Sequence, residues 1–190
     1  GDMRERLAKL GGADLIASRA GVSREQADEV ALNSQQRAAK AREAGYFAAS
    51  IVPIQTPEGT ADQDECIRAD TSPEGLAAME PVFAKIGAAG VDALQLKASP
   101  ELEQIAHIHT AGNSPAMADA ACVLLLGDRD SGTALKVAPR ARIAASVTVA
   151  ADPLEVLSGC VEAVRALLGK TGLSADDIDL FEIHEAFAAT

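Results

Sequence analysis

The order in which helix and strand signals follow one another constrains this chain more than any other feature of its sequence. Roughly the first hundred residues carry mainly helix and loop signals, whereas the last eighty alternate short apolar runs with helical ones. Alternation of this kind is typical of an α/β layered domain. The sequence therefore predicts an α/β fold preceded by a helical portion.

Capping residues mark the helices of the first part. Residues 4–20 are compatible with helix, and Gly21 is the expected stop. Ser23 followed three residues later by Gln26 predicts a capping box and a long helix that ends before residue 45. The polar middle of that helix, residues 33–37, is interpreted as a solvent-exposed face.

Apolar runs in the second part predict strands. Residues 120–126 indicate a buried strand or helix, and residues 142–151 indicate a strand. Asp152-Pro153 has the composition of a helix start, and that helix should run to about Leu168. Residues 91–99 are interpreted as a short strand or irregular structure.

The last twelve residues carry the most chemical-looking motif. Leu180, Phe181 and Ile183 form a β-type run, and the residues after them favour helix. His184 and Glu185 therefore sit where a strand turns into a helix. Ligands of α/β proteins bind at such junctions, because the helix start offers unpaired N–H groups there.

Charge and composition exclude several classes of protein. The formal net charge is −11 and the isoelectric point is near 4.7, which argues against nucleic acid or an anionic membrane surface as partner. No apolar run approaches the roughly 18 residues of a membrane span. The three cysteines form no CxxC pair, so the sequence predicts no metal site, and a reducing cytoplasm is expected.

Several segments resemble the thiolases, a family of acyl-CoA C-acyltransferases. Ile-His-Glu-Ala-Phe-Ala-Ala, residues 183–189, looks like their His/Asn-Glu-Ala-Phe-Ala motif. Residues 12–38 resemble the family's helical stretch with Ser-Arg-Glu and Ser-Gln-x-Arg-Ala, and residues 70–83 match a further segment. Thr110-Ala111-Gly112-Asn113 is similar to its Thr-Ala-Gly-Asn turn. The order and spacing of these segments match the family over nearly the full chain.

The resemblance implies a partial thiolase-like α/β fold, consisting of a helical loop domain and pieces of two layered α/β halves. Residues 1–107 are expected to be the loop domain. Residues 108–139 would end the N-terminal half, and residues 140–190 would begin a truncated C-terminal half. On this basis we expect the sequence to be a central piece of a longer protein.

The same resemblance implies roles for individual residues. His184 would stabilise the negative oxygen of an enolised thioester, directly or through water, with Glu185 as its supporting residue. Phe187 would line the acyl or pantetheine pocket. Arg68 matches an arginine near the CoA nucleotide.

The segment after Asn113 departs from the family pattern. Thiolases usually continue with Ala/Ser-Ser-Gly, and a serine there contacts the pantetheine, whereas this chain has Ser114, Pro115 and Ala116. Proline removes both that hydroxyl and one N–H donor. Asn113, Ser114 and Ala116 are therefore expected to bind CoA with Ser114 as a substitute contact, unless affinity is weakened or the protein has left standard thiolase work.

The functional expectation is a piece of a thiolase that works through a cysteine acyl-enzyme, either cleaving 3-ketoacyl-CoA or condensing acetyl-CoA. The family's nucleophilic cysteine would precede residue 1, so residues 1–190 alone are expected to be inactive. Acyl-CoA and CoA would be substrates, without a bound cofactor, and the full-length protein would be a homodimer or homotetramer in lipid metabolism such as fatty acid β-oxidation.

Two other functions compete with this expectation. The first is a non-catalytic, thiolase-derived CoA-binding or interaction module. The second is a metal hydrolase that uses His107, His109 and the pair His184-Glu185. The second lacks the HExxH pattern, because Ala188 stands where the second histidine would be.

Overall fold

The computed structural model describes residues 11–190, so residues 4–10 of the first expected helix lie outside the described part. The helices and strands, in chain order, are α1 (Gly12–Ala20), α2 (Arg24–Glu43), β1 (Ile54–Thr56), β2 (Gly59–Ala61), α3 (Pro73–Ala77), α4 (Ala84–Ile86), a π-helical turn (Gly87–Val91), α5 (Asp92–Ala98), α6 (Arg129–Leu135), α7 (Gly159–Thr171) and a 3-10 turn (Ala175–Asp177). None of the helices over 11–190 has the length and hydropathy that a membrane crossing requires.

The chain forms two compact units. The first, which we call the anchor unit, contains the described residues up to Ala116 together with Ala151–Ser158 and His184–Thr190. The second contains Met117–Ala150 and Gly159–Ile183. The expected assignment of 1–107, 108–139 and 140–190 to parts of a thiolase remains a prediction. The two units show which segments pack together, not which part of a thiolase each segment matches.

Helices α1 and α2 begin and end where their capping residues predict. Gly21 adopts a left-handed conformation with φ 66° after α1, which a residue without Cβ does at little cost. Ser23 and Gln26 form the expected capping box, with Ser23 Oγ accepting from the N–H of Gln26 and Gln26 Oε1 accepting from the N–H of Ser23. These bonds confirm the predicted start of α2.

The apolar centre of the anchor unit lies between α1, α2 and the segment that follows residue 105. Ala17, Ala27 and Ile108 are buried together, and Ala188 and Ala189 pack against them. Small side chains allow these backbones to approach closely, in keeping with a sequence that has no tryptophan. The end of the chain is therefore part of this core.

Arg19, at the end of α1, holds segment 151–158 in the anchor unit. One of its terminal nitrogens lies 2.7 Å from Glu155 Oε1 and 3.1 Å from Asp152 Oδ2, and its Nε lies 3.1 Å from Glu101 Oε1. The hydrogen bond to Glu155 is the main reason that the pKa of Arg19 is raised. Gly12 also faces this segment, at a place where a Cβ would lie 2.5 Å from the carbonyl oxygen of Glu155.

The expected strands of the second part are wrong in this structure. Residues 120–126, 142–151 and 180–183 contain no paired strand, and Leu124 is 79% exposed. An apolar run becomes a strand only where a neighbour accepts its backbone hydrogen bonds, and no described segment pairs with these runs. The sheet found over residues 11–190 is the exposed hairpin of β1 and β2.

Three further expectations need correction. Residues 185–189 do not start a helix, because 186–189 form bends and turns. The helix expected from Pro153 begins instead at Gly159, because Asp152 Oδ1 accepts the N–H of Leu154 and makes a local turn. Residues 91–99, expected as strand or irregular, lie mostly in α5.

Candidate functional site

A buried carboxylate on α1 organises the centre of the anchor unit. Asp14 is fully buried. Its Oδ1 accepts from the N–H groups of Ile108 and His109, each at 3.2 Å, and from Nδ1 of His109 at 2.6 Å. Its Oδ2 lies 2.8 Å from Nδ1 of His107. Since a carboxylate only accepts, both imidazoles present an N–H to Asp14.

The charges of this cluster stabilise one another. Burial alone would raise the pKa of Asp14, but hydrogen bonds from His109 and His107 outweigh it and hold that pKa below its ordinary 3.8. Burial likewise opposes charge on His107, yet its hydrogen bonds to Asp14 and to Asp92, which lies 3.0 Å from its Nε2, raise its pKa above 6.5. The position of His107 between two carboxylates therefore favours its protonated form.

A second polar chain runs from α2 to Asn113. Arg24 Nε donates to Asp28 Oδ2 at 2.7 Å, and Asp28 Oδ1 accepts from Asn113 Nδ2 at 2.8 Å. The same Nδ2 donates to the carbonyl of Ile108, while Asn113 Oδ1 accepts from the N–H of Thr110. The buried Asn113 side chain is therefore committed to holding its own turn.

Both polar chains meet the last residues of the sequence, 184–190, which we call the terminal turn. The N–H of Ala188 donates to the carbonyl of Asn113 at 3.2 Å, and the N–H of Ala189 points at Nε2 of His109 at 3.4 Å. The ring of Phe187 meets the edge of His109 with 5.3 Å between centroids. Consecutive residues of the terminal turn are thus fixed to residues 109–113.

His184 and Glu185 lie on the exposed side of the terminal turn. Over the described residues no hydrogen bond reaches the His184 imidazole, so the ring is open to a ligand. Glu185 Oε2 accepts from Ser34 Oγ of α2 at the long distance of 3.5 Å. This contact links the predicted pair to α2.

The neighbour of Ser34 on α2 holds the loop that carries Arg68. Gln35 Oε1 accepts from the backbone N–H of Arg68 at 2.7 Å, and Gln35 Nε2 donates to the carbonyl of Cys66 at 3.5 Å. The Arg68 side chain itself is exposed. The interpretation of residues 33–37 as only a solvated face is therefore incomplete, because Ser34 and Gln35 together make three side-chain hydrogen bonds.

The remaining predicted residues are less tightly grouped. Phe187 is half-buried and packs against Phe83 as well as His109. Ser114 lies beside Asn113 in sequence, and its Oγ is buried without a hydrogen-bond partner among the described residues. Ala116 is exposed. Their binding roles remain predictions.

The metal-hydrolase alternative gains no support from the described residues. No three or more histidine, cysteine, aspartate or glutamate side chains over 11–190 are arranged to hold a metal ion. His107 and His109 instead direct their Nδ1 atoms to Asp14. That alternative is accordingly not carried further.

Comparison with known proteins identifies the family pattern in two places. The profile described as "Thiolase, N-terminal domain" matches residues 11–95, and that described as "Thiolase, C-terminal domain" matches residues 137–190. The chain is 36% identical over 182 residues to a 3-ketoacyl-CoA thiolase of Cronobacter sakazakii, covering 93% of this chain and 42% of that protein. It is 37% identical over 184 residues to the human peroxisomal 3-ketoacyl-CoA thiolase, covering 92% and 38%.

Solved structures agree with the sequence relatives. The dimeric peroxisomal thiolase of Saccharomyces cerevisiae matches with a TM-score of 0.77 at 32% identity, over 94% of this chain and 40% of that one. Human mitochondrial 3-ketoacyl-CoA thiolase, solved in complex with CoA, matches with a TM-score of 0.73 at 32% identity, over the same two shares. These matches confirm the expected partial thiolase-like α/β fold. The chain spans about two-fifths of the length of the relatives it matches.

Proposed function

The chain belongs to the thiolase family, and from that premise we propose that the protein is an acyl-CoA C-acyltransferase. The proposed reaction is the CoA-dependent cleavage of a 3-ketoacyl-CoA, or its reverse, the Claisen condensation of acetyl-CoA. The observation that carries the proposal is the structure of the terminal turn. His184 is exposed, while Ala188 and Ala189 of the same turn donate backbone hydrogen bonds to the buried residues Asn113 and His109. An exposed hydrogen-bond donor on a firmly held backbone is suited to stabilising a charge that develops during a reaction.

The chemistry requires a cysteine thiolate, which the family resemblance assigns to a residue outside 1–190. In the cleavage direction the thiolate attacks the 3-keto carbon, the bond between C2 and C3 breaks, and acetyl-CoA leaves as its enolate and takes up a proton. The acyl group on sulfur then passes to the thiol of another CoA, which regenerates the cysteine.

In this proposal His184 donates a hydrogen bond to the enolate oxygen, directly or through water. Such a donor acts mainly on the rate of the chemical step, because charge develops on that oxygen only as the C–C bond breaks. Glu185 restrains the turn through Ser34. Phe187 is proposed to line the acyl or pantetheine pocket.

CoA binding is proposed for Arg68, Asn113, Ser114 and Ala116. The bond from Gln35 to the Arg68 backbone supports this, because it fixes the loop from which the guanidinium extends. Asn113 would contribute through its backbone and turn, since its side chain is already bonded. The CoA would be a substrate, and no bound cofactor or metal is proposed.

The assembly and its setting are also part of the proposal. A homodimer or homotetramer is proposed, supported by the description of the yeast relative as dimeric. A role in fatty acid β-oxidation is supported by relatives named 3-ketoacyl-CoA thiolase. A reducing cytoplasm is proposed because Cys66, Cys122 and Cys160 are free thiols.

The test is a thiolysis assay on the full-length protein with acetoacetyl-CoA and CoA. His184→Ala should lower kcat by about 10²–10³-fold, the usual effect of removing one oxyanion donor. His184→Asn, which restores a side-chain N–H donor, is the matched variant and should keep most of the rate. Equal rates in all three proteins would refute the role of His184.

The second candidate function is a CoA-binding module without catalysis. Pro115 favours it, because proline stands where thiolases carry the serine that contacts pantetheine. Isothermal titration of the full-length protein with CoA distinguishes the two functions: binding without turnover would support the module.

A further inference from the structure

His109 lies between a buried charge and the terminal turn. We propose that His109 is a positioning residue, which holds the terminal turn through its Nε2 atom so that the exposed His184 keeps one place. This inference rests on the proposed function of His184. Nothing in the motif around 184–189 points to His109, which lies 75 residues earlier in the chain.

Asp14 determines which nitrogen of His109 faces the turn as an acceptor. Its Oδ1 lies 2.6 Å from Nδ1 of His109, and because a carboxylate cannot donate, the proton must sit on Nδ1. Nε2 is then the acceptor, to which the N–H of Ala189 donates at 3.4 Å. Two hydrogen bonds therefore connect Asp14 through the His109 imidazole to the backbone of the terminal turn.

The surroundings leave the ring little freedom to choose another arrangement. His109 and Asp14 are both fully buried, and the backbone N–H of His109 also donates to Asp14. The charged groups around Asp14 are His107 and, beyond it, Asp92, so the carboxylate is held from the other side as well. A ring flip would remove the shortest of the four hydrogen bonds that Asp14 accepts, and losing a hydrogen bond to a buried charged group is costly.

The contacts of His109 reach the turn on its buried side. Phe187 meets the imidazole edge, and the N–H of Ala189 meets Nε2. The bond from Ala188 to the Asn113 carbonyl adds a third attachment. The imidazole of His184, on the exposed side, makes no hydrogen bond among residues 11–190. Its position therefore depends on how firmly the backbone of the terminal turn is held.

Two amide variants, each replacing only one of the two ring nitrogens, separate positioning from mere stability. His109→Asn places an amide N–H near the Nδ1 position, so it keeps a donor for Asp14 but has no atom at the Nε2 position. His109→Gln places an amide oxygen near the Nε2 position, so it keeps an acceptor for Ala189 but withdraws the donor from Asp14. The first should cost less stability but loosen the terminal turn, and the second should cost more stability but keep the turn in place.

The experiment measures three quantities on the full-length protein and both variants: the urea midpoint, amide hydrogen exchange of the 184–190 peptide, and thiolysis kinetics. We expect His109→Asn to lower the urea midpoint less than His109→Gln does, because it keeps the donor to Asp14, while exchange in 184–190 rises about tenfold. Its kcat should fall about tenfold with KM changed less than about twofold, because a small misplacement of a catalytic donor acts on the chemical step. His109→Gln should be less stable and yet retain more kcat than His109→Asn.

Two results would overturn the inference. One is unchanged exchange in 184–190 for His109→Asn. The other is a kcat order that follows the urea midpoints, with His109→Gln slowest, since that order marks a residue that matters only for stability. If the wild-type protein does not turn over, the proposed function fails by itself, and the exchange measurement alone decides whether His109 holds the turn.

Discussion

Replacing Asp14 by asparagine tests the role of the buried charge most sharply. The two side chains have the same shape, but asparagine offers one acceptor oxygen and one donor nitrogen in place of two acceptors. With its oxygen in the place of Oδ1, it keeps the three donors from Ile108 and His109. Its nitrogen then meets His107 Nδ1, which can accept only after the imidazolium loses its proton.

The cost follows from breaking a buried ion pair on one side. Removing one partner of such a pair costs about 3–5 kcal/mol, and we expect the lower end, about 3 kcal/mol, because His107 escapes part of the penalty by deprotonating. That is a large fraction of the 5–15 kcal/mol that typically separates folded from unfolded protein. His107 should remain bonded to Asp92 through its Nε2.

The assay is urea denaturation of the full-length protein at neutral pH. The matched control is Asp62→Asn, an identical chemical change at an exposed residue of the anchor unit, which should shift the free energy of unfolding by less than about 0.5 kcal/mol. If the two variants unfold at the same urea concentration, the buried cluster does not stabilise the fold as argued.

Two further predictions concern stability. Gly12→Ala should lower the free energy of unfolding by about 2 kcal/mol, because its Cβ would lie 2.5 Å from the Glu155 carbonyl oxygen. The control Gly169→Ala, with nothing within 4 Å of its Cβ, should raise that free energy by about 0.5–1 kcal/mol. Equal urea midpoints of the two variants would contradict the close approach at Gly12. Since the pKa of folded His107 is raised above 6.5, its contribution is complete below pH 6.5 and is lost as pH rises through that higher pKa. A pH series of unfolding free energies should show this decline, and Asp14→Asn should flatten it; a decline of the same size in the variant would contradict the pairing.

Local signals predicted the first part of the fold well. The capping box of Ser23 and Gln26 and the stop at Gly21 depend on residues within a few positions of one another, so they can be read from sequence. The N-cap of α3 is equally local, because Ser72 Oγ accepts the N–H of Gly75. These features need no knowledge of distant contacts.

The strands could not be predicted in the same way. An apolar run such as 120–126 has strand composition, but a strand exists only through a partner, and the sequence of the run does not say whether one is present. The helix expected from Pro153 begins only at Gly159. Besides the local turn at Asp152, Arg19 binds Asp152 and Glu155 from far away in sequence. In both cases the outcome depends on contacts that the sequence of the segment alone does not show.

The candidate site was predicted where it carries a motif and missed where it depends on packing. His184 and Glu185 were predicted from the motif at 183–189, whereas the contacts of His109 with Asp14 and the terminal turn were not. One signal was available: Asp14 precedes the apolar residues Leu15 and Ile16 within a helical pattern, and an acidic residue beside a packing face needs a partner. The histidines at 107 and 109 are those partners.

His184 is proposed to stabilise an enolate oxygen. The most direct measurement is the exchange of acetyl-CoA methyl protons with deuterated water, followed by NMR in the presence of the full-length protein, because this exchange passes through the enolate and needs no net turnover. We expect exchange with the wild-type protein, retention of most of it in His184→Asn, and a loss of about 10²-fold or more in His184→Ala. Exchange in His184→Ala at the wild-type rate would contradict the claim.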